Sequence, residues 1–423
     1  MTELYELAEK AWNDEIPDRE NDPLFNINIP PVLVAKDLYF VSTFGNVSIL
    51  DTNVGLVLID CGVDYIGELL YNYILEYFNG KEIHSIIYTH GHKDHVGGSI
   101  FLKEKFPKLQ VIGHENVRYR FDRYCQTCDY NLKINQKQFG LQPTSDSNLS
   151  YNNFVYPTLT YRSNMTLKIG EYVLELIHGK GETDDATWVW LPEQNAIATG
   201  DFIIWNSPNC GNPQKVQRYP EEWAKTLRKM QRYKVALLLP GHGPIINGES
   251  RVNQVLNDTA LLLEIICEQT IKYMNMGYTK SQVLENVKIP KYLINKSYLK
   301  PNYDEPEFIV STVWREKAGW WGGEVWDLKG FDFKAVSQNI VKLFPKKELF
   351  MRYVDTMIEN KEYRPALFFV EVGLVMYQQD TEMLDLAEKI YNVMAQYDQN
   401  TSLMVRNQFN YKLYQIFEMK SKL

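Results

Sequence analysis

Three of the seven histidines in this 423-residue chain fall within six positions, in the run Thr89-His90-Gly91-His92-Lys93-Asp94-His95. In extended backbone, residues two apart face the same way, so His90 and His92 can grip one divalent ion while the turning chain presents Asp94 and His95 to a second. Imidazole nitrogens and carboxylate oxygens are both zinc ligands. Water bound to such ions can ionise near pH 7 and act as a nucleophile. The competing reading, a solvated histidine-rich loop, does not account for this density. Gly97 and Gly98 follow directly and are expected to let the backbone bend sharply into the next helix.

A loop of this kind must be held by rigid elements. It follows a short apolar run at 83–88, and before that run a helical pattern at 65–78 is ended by Asn79-Gly80. Earlier still, from Pro31, VLVAKDLYFVSTFG, NVSILDT and GLVLIDCG read as consecutive strands. A loop at the C-terminal end of a strand is where α/β folds place chemistry. Between 124 and 161 the chain is polar with little periodicity, the pattern of an insertion lying over the site. Strands return at 172–177, 186–191, 196–198 and 235–239, just before Pro240-Gly241-His242. After a segment at 1–30, residues 31–250 can therefore form one sandwich-like α/β domain.

From 251 to 423 the strand signal gives way to helices. LLLEIICEQTIKYM is followed by Thr279-Lys280-Ser281-Gln282, a capping-box pattern that opens another helix. RPALFFVEVGLVMYQQ and MLDLAEKIYNVMAQY are amphipathic, consistent with helical hairpins, although no strict repeat period is present.

Composition narrows the function. A net charge of -8 argues against a nucleic-acid partner, because neutralising phosphates requires clustered Lys and Arg. A small or apolar substrate fits better. No apolar run reaches the roughly 18 to 20 residues that span a bilayer, and MTELYELAEK is no signal sequence, so a cytoplasmic chain is expected. The five cysteines are too sparse for a disulfide scaffold. Cys125 and Cys128 form a CxxC without a second close Cys or His pair, so plain thiols are expected in place of a zinc half-site or redox couple.

The HxHxDH run after an apolar strand resembles the hallmark of the metallo-β-lactamase superfamily, and the order of elements is similar from about 31 to 250. The fold this implies is α/β, an αββα sandwich, here followed by an all-helical domain. Asp60-Cys61-Gly62 stands where such proteins carry an acidic turn. Where most of them place a further ligand histidine, this chain has His178-Gly179-Lys180-Gly181-Glu182, which puts Glu182 in the ligand position and leaves His178 a supporting or structural role. Asp201, after Thr199-Gly200, corresponds to the acidic residue that bridges two metals, and Pro240-Gly241-His242 supplies the last histidine. The resemblance implies His90, His92 and Glu182 on one ion and Asp94, His95 and His242 on the other. Asp201 stands between them, with a hydroxide held between two Zn2+ ions, or other divalent metals, about 3.5 to 4 Å apart. Asp94 and Asp201 are thus the candidate catalytic carboxylates.

A glutamate in this position, with an acidic bridging ligand 19 positions later, matches the alkylsulfatase branch. Residues 261–287 and Ala318-Gly319-Trp320-Trp321-Gly322-Gly323 look like the alkylsulfatase dimerisation domain, which implies a homodimer and extends the resemblance to about 415. It is not expected to include the third, lipid-carrier-like domain of many such proteins. In the sulfate pocket the family's arginine-glycine segment reads Gly211-Asn212-Pro213-Gln214-Lys215-Val216-Gln217-Arg218, and its His-Asn pair falls at Phe308-Ile309. Lys215 and Arg218, if not simply solvated charges, are the candidate replacements for the missing cation, with Trp320 as an apolar wall. The expected function is a dinuclear zinc hydrolase cleaving a sulfate ester, or a related ester, of a mostly apolar small molecule. The alternatives are a hydrolase of a lactone, thioester or carboxylic ester, and a non-catalytic metal-dependent sensor or scaffold.

Overall fold

The computed structural model of the chain describes residues 2–16, 28–140, 151–396 and 402–423. By packing it divides into two compact units, Met1–Leu132 with Asp146–Gly319, and Lys133–Ser145 with Trp320–Leu423.

The first unit is built on two sheets. Among the described residues, the first contains β1 (Ile29–Ala35), β2 (Leu38–Ser42), β3 (Val47–Thr52), β4 (Gly55–Ile59), β5 (Ile83–Ile87), β6 (Gln110–His114) and β7 (Leu159–Tyr161), paired in that order. The second contains β8 (Asn164–Ile169), β9 (Tyr172–His178), β10 (Thr187–Leu191), β11 (Ala196–Gly200), β12 (Leu237–Pro240) and β13 (Ile246–Asn247), in the order β13-β12-β11-β10-β9-β8. Alternate residues of β3 and β4 face opposite ways. Leu50, Val57 and Ile59 join Leu174, Leu176 and Val189 in the core between the sheets. Ile49, Leu56 and Leu58 instead pack with Leu70 and Ile74 of the helix Ile66–Tyr77. Burial on both faces explains why these strands are nearly continuous apolar runs. The other face of the second sheet, which carries Trp188 and Leu238, is covered by the helices Pro220–Gln231 and Glu249–Asn275, whose Trp223, Leu227, Val252 and Leu256 continue the apolar cluster there. The result is the expected αββα sandwich.

Three local expectations are corrected. The run beginning at Val32 is a hairpin and not a single strand, because Asp37 takes a left-handed φ of 54° and turns β1 back onto β2. The polar stretch after 124 is helical in its described first part: helices Asn116–Gln126 and Cys128–Gln138 run through it, and 141–150 lie outside the described residues. Gly97 and Gly98 do not bend the chain through an unusual φ, since both are helical. They are needed for close approach: a Cβ on Gly98 would lie 2.1 Å from the Cys61 carbonyl oxygen.

The expected helix signals hold. Thr279 and Gln282 make a reciprocal capping box, with Thr279 N donating to Gln282 Oε1 at 2.9 Å. The second unit contains the helices Phe333–Val341, Lys347–Glu359, Tyr363–Met376, Thr381–Gln396 and Leu403–Lys420. They enclose a separate core that includes Phe350, Val354, Val370, Leu384, Ile390 and Ile416.

Candidate metal centre

Strand ends deliver the candidate ligands. β5 leads into Thr89 and His90, and the short helix Lys93–Val96 that follows His92 carries Asp94 and His95. β11 and β12 run parallel with Gly200 opposite Pro240, so Asp201 and His242 emerge side by side. Glu182 lies in the turn between β9 and β10.

The side chains form two sets. One donor atom each from His90, His92, Glu182 and Asp201 lie within 4.8 Å of one another, as do donors from Asp94, His95 and His242. Asp201 joins the sets: its Oδ2 is 3.7 Å from His90 Nε2, while its Oδ1 is 3.1 Å from His95 Nε2 and 3.4 Å from His242 Nε2. Asp94 Oδ2 lies 3.5 Å from His242 Nε2 and 3.7 Å from His95 Nε2.

These residues fit divalent cations. His95 Nε2, Glu182 Oε2 and Asp201 Oδ1 are buried and have no hydrogen-bond partner. Buried polar atoms are costly when unsatisfied, and here all three point into the cluster. A mixed imidazole and carboxylate set suits zinc and its first-row neighbours.

A surrounding layer holds the ligands in place. Asp60, in a left-handed turn with φ 61°, accepts hydrogen bonds from the Thr89 backbone N–H, the Thr89 hydroxyl (both 2.7 Å) and His95 Nδ1 at 2.8 Å. That leaves His95 Nε2 to face the cluster. His242 Nδ1 donates to the Phe44 carbonyl. The loop carrying His242 is tied to the first sheet by Asn46, whose Nδ2 donates to the carbonyls of Pro240 (3.0 Å) and Gly243 (2.7 Å). Asp185 accepts from Gly91 N at 2.8 Å and from the buried Arg120 at 2.9 Å. Glu182 Oε1 accepts from Asn209 Nδ2 at 2.6 Å and from the Arg218 guanidinium, which also donates to the Asn209 carbonyl.

The electrostatics follow from burial and neighbours. Burial, helped by the adjacent His95, lowers His90 to about 4. Burial and the nearby His90, Arg120 and Arg218 hold His92 well below the usual histidine range. Both rings are therefore neutral near pH 7, the form that ligates. For His95 and His242 burial acts downward, but the surrounding carboxylates, Asp201 foremost, prevail and raise both. Asp201 is lowered, since His95, His242 and His90 outweigh its burial. Burial raises Glu182 against the opposing pull of Arg218.

The family model described as the metallo-beta-lactamase superfamily matches residues 42–242, and the one described as alkyl sulfatase dimerisation matches 279–417. A linear primary-alkylsulfatase of Pseudomonas sp. is 24% identical over 65% of this chain and 56% of its own length. The alkyl/aryl-sulfatase of Saccharomyces cerevisiae is 22% identical over 65% of this chain and 46% of its own. The chain is a homologue of the alkylsulfatases. It spans about half the length of these curated relatives. The solved structure of a stereoselective inverting sec-alkylsulfatase from Pseudomonas sp. superposes with a TM-score of 0.81 at 19% identity, covering 97% of this chain and 70% of the other. The fold is thus shared along nearly the whole chain, and the superfamily implies a divalent-metal site where the two clusters stand.

The structure brings all seven expected ligands together. Of the candidate substrate contacts, Lys215 is partly buried, and burial and Arg218 lower it against the opposing pull of Glu182 and Asp94. Arg218 is buried against Glu182. Trp320 begins the second unit with 72% of its surface exposed. His178 stands outside the cluster, stacked on His114 at 3.8 Å. Sequence reasoning missed Arg120, Asp185, Asn46 and Asn209, and saw in Asp60 only an acidic turn. The signal for Asp60 and Asp185 was an acidic residue at an otherwise apolar strand end or beside a ligand; Asn46 and Asn209 carry no local signal. Among the described residues no helix is long and apolar enough to cross a membrane.

Proposed function

We propose that the chain is a zinc-dependent hydrolase of the alkylsulfatase type with two metal ions per chain. It acts on a sulfate ester or related ester of a mostly apolar small molecule. The observation that carries this reading is the pair of ligand sets sharing Asp201, with a glutamate in the first set. A divalent pair supplies an activated water and polarises the ester oxygen. The chain's own residues do the rest. Asp201, held between three imidazoles, sets the spacing of the two sets. Asp94 has the most open side chain of the seven, 26% exposed; its Oδ2 faces His95 and His242 as the ligand atom, which leaves its second oxygen to hold the proton of the attacking water. Lys215 supplies a cation beside Glu182 and Asp94 for the anionic group of the ester.

A second reading, hydrolysis of a lactone, thioester or carboxylic ester, draws support from the segment at 211. There Phe308 packs against Gly211 and Ile309 is fully buried, so an apolar pair stands beside the segment that would meet the leaving group. Elemental analysis of protein purified without chelator is expected to give about two zinc equivalents. Parallel assays with alkyl sulfates, carboxylic esters and lactones separate the two readings. Absence of metal, or metal without turnover of any ester class, overturns both. We also propose a cytoplasmic homodimer formed through the region matching the dimerisation family; light scattering giving a monomer near 49.5 kDa at micromolar concentration would contradict the dimer.

A further inference from the structure

A carboxylate in a position that most of the superfamily fills with a neutral imidazole brings a second oxygen and an extra negative charge. Glu182 is 5% exposed, so both must be dealt with by neighbouring groups. Its two oxygens have different surroundings. Oε2 lies 3.8 Å from His92 Nδ1, buried and without a hydrogen-bond partner. Oε1 is turned away and accepts from Asn209 Nδ2 at 2.6 Å and from Arg218. Arg218, 2% exposed, also donates to the main-chain carbonyl of Asn209, so the guanidinium is tied to the backbone of the residue whose side-chain amide holds the glutamate.

The clasp is itself anchored. Asn206 Oδ1 accepts from Tyr303 N at 3.1 Å, Ser207 N donates to the Lys300 carbonyl at 3.1 Å, and Gly211 N donates to the buried Asp304 at 3.1 Å. The loop bearing Asn209 is thereby pinned on both sides to the segment that leads into helix Pro306–Ala318.

We infer that Arg218 and Asn209 are positioning residues acting through Glu182. They neutralise its charge and occupy Oε1, so that Glu182 serves as a one-oxygen ligand and the Glu182–Arg218 pair takes the place of one histidine. This rests on the metal reading above. A carboxylate free to turn can offer either oxygen or both; one whose Oε1 is bound by a guanidinium and an amide can offer only Oε2. The geometry gives Arg218 a task other than contacting substrate.

The test is competition titration of the metal-stripped full chain with zinc against a chromophoric chelator, with metal content measured in parallel. Arg218→Met is expected to weaken one of two zinc sites by 10- to 100-fold, the usual cost of losing a ligand's supporting group, and to leave the other site unchanged. Asn209→Ala should weaken the same site less. In a Glu182→His background the charge to be neutralised is gone, so adding Arg218→Met should cost no affinity. Arg218→Lys, which keeps the charge but loses the fork, carries the same comparison where the methionine variant does not fold. Wild-type affinity at both sites in Arg218→Met, with only a raised KM for an anionic ester, would overturn the inference and make Arg218 a substrate contact. The same 10- to 100-fold loss from Arg218→Met in the Glu182→His background would also overturn it. Failure of the unaltered chain to bind zinc would instead overturn the metal reading itself.

Discussion

Asp60→Asn should cost the protein one ion while leaving it folded. The native carboxylate accepts three hydrogen bonds at 2.7, 2.7 and 2.8 Å from Thr89 N, Thr89 Oγ1 and His95 Nδ1, and all three residues are buried. Thr89 N–H can only donate, so an asparagine oxygen must take the Oδ1 place to meet it. The amide then takes the Oδ2 place, where it donates to the Thr89 hydroxyl, turned to accept, and faces His95 Nδ1 as a donor. The ring must accept there and carry its proton on Nε2, the atom 3.1 Å from Asp201 Oδ1. A protonated Nε2 has no lone pair for a metal. Losses of this kind typically amount to 10- to 100-fold in metal affinity, or about 1.4 to 2.8 kcal/mol at about 1.4 kcal/mol per factor of ten. Exchanging three charge-assisted bonds for neutral ones costs the fold about 1 kcal/mol each, roughly 3 kcal/mol in all, below a total of about 5 to 15 kcal/mol. Asp60→Ala is the contrasting control. It leaves three buried donors unpaired at about 1 to 3 kcal/mol each, enough in sum to threaten folding. Chelator competition and elemental analysis on the stripped and reloaded variants, with thermal melting alongside, read out both effects. If Asp60→Asn holds two ions with wild-type affinity, the Asp60 contact does not set the ligating tautomer of His95 and the reasoning fails.

Asp201→Ala should remove the atoms shared by the two sets, releasing one ion and nearly all ester turnover; full retained activity in a metal-quantified sample would refute the bridge. Burial and the neighbouring Arg218 lower Lys215 to about 8, so it is a cation below that pH and neutral above it. If it holds an anionic ester group, KM should be flat at low pH and rise up to tenfold per unit beyond about pH 8, earlier still with divalent ions nearby. Lys215→Met should show a high KM with no such limb, and an identical profile in the variant would refute the role. Gly98→Ala would force a Cβ to within 2.1 Å of the Cys61 carbonyl, backbone against backbone in the turn that carries Asp60. A stability loss of about 1 to 3 kcal/mol, as for overpacking, is expected together with weaker metal binding, and an unchanged melting temperature would contradict it.

Much of the site could be read from local pattern. His90, His92, Asp94 and His95 share one loop, and Asp201 and His242 each follow an apolar strand, so short-range period and punctuation point to them. The helices at 363–376 and 381–396 were legible because their apolar spacing repeats within one element. The polar helices at 116–138 were not, since they carry few apolar positions to mark a face. The hairpin at Asp37 was hidden because one backbone angle, with no Gly or Pro to announce it, reverses the chain. Supporting contacts were the least legible. Asp60 reaches His95 across 35 positions, Arg120 reaches Asp185 across 65 and Arg218 reaches Glu182 across 36. Such pairs leave no periodic trace, because the tertiary fold alone decides which polar residue meets which.

The parallel pairing of β11 with β12 bears on how such a protein can diverge. Two parallel strands cannot be joined by a tight turn, so the chain from Asp201 to Ala236 must leave the sheet and cross back. That crossover contains the loop with Asn209, Gly211 and Lys215 and the helix Pro220–Gln231. The register that sets Gly200 against Pro240 is held by the strands themselves. Insertions, deletions and exchanges within the crossover can therefore accumulate without parting Asp201 from His242. The connection behaves as an exchangeable cassette outside its Glu182 clasp: a library confined to 212–217, sparing Asn209, Gly211 and Arg218, would sample new leaving-group preferences on an unchanged pair of ligand strands.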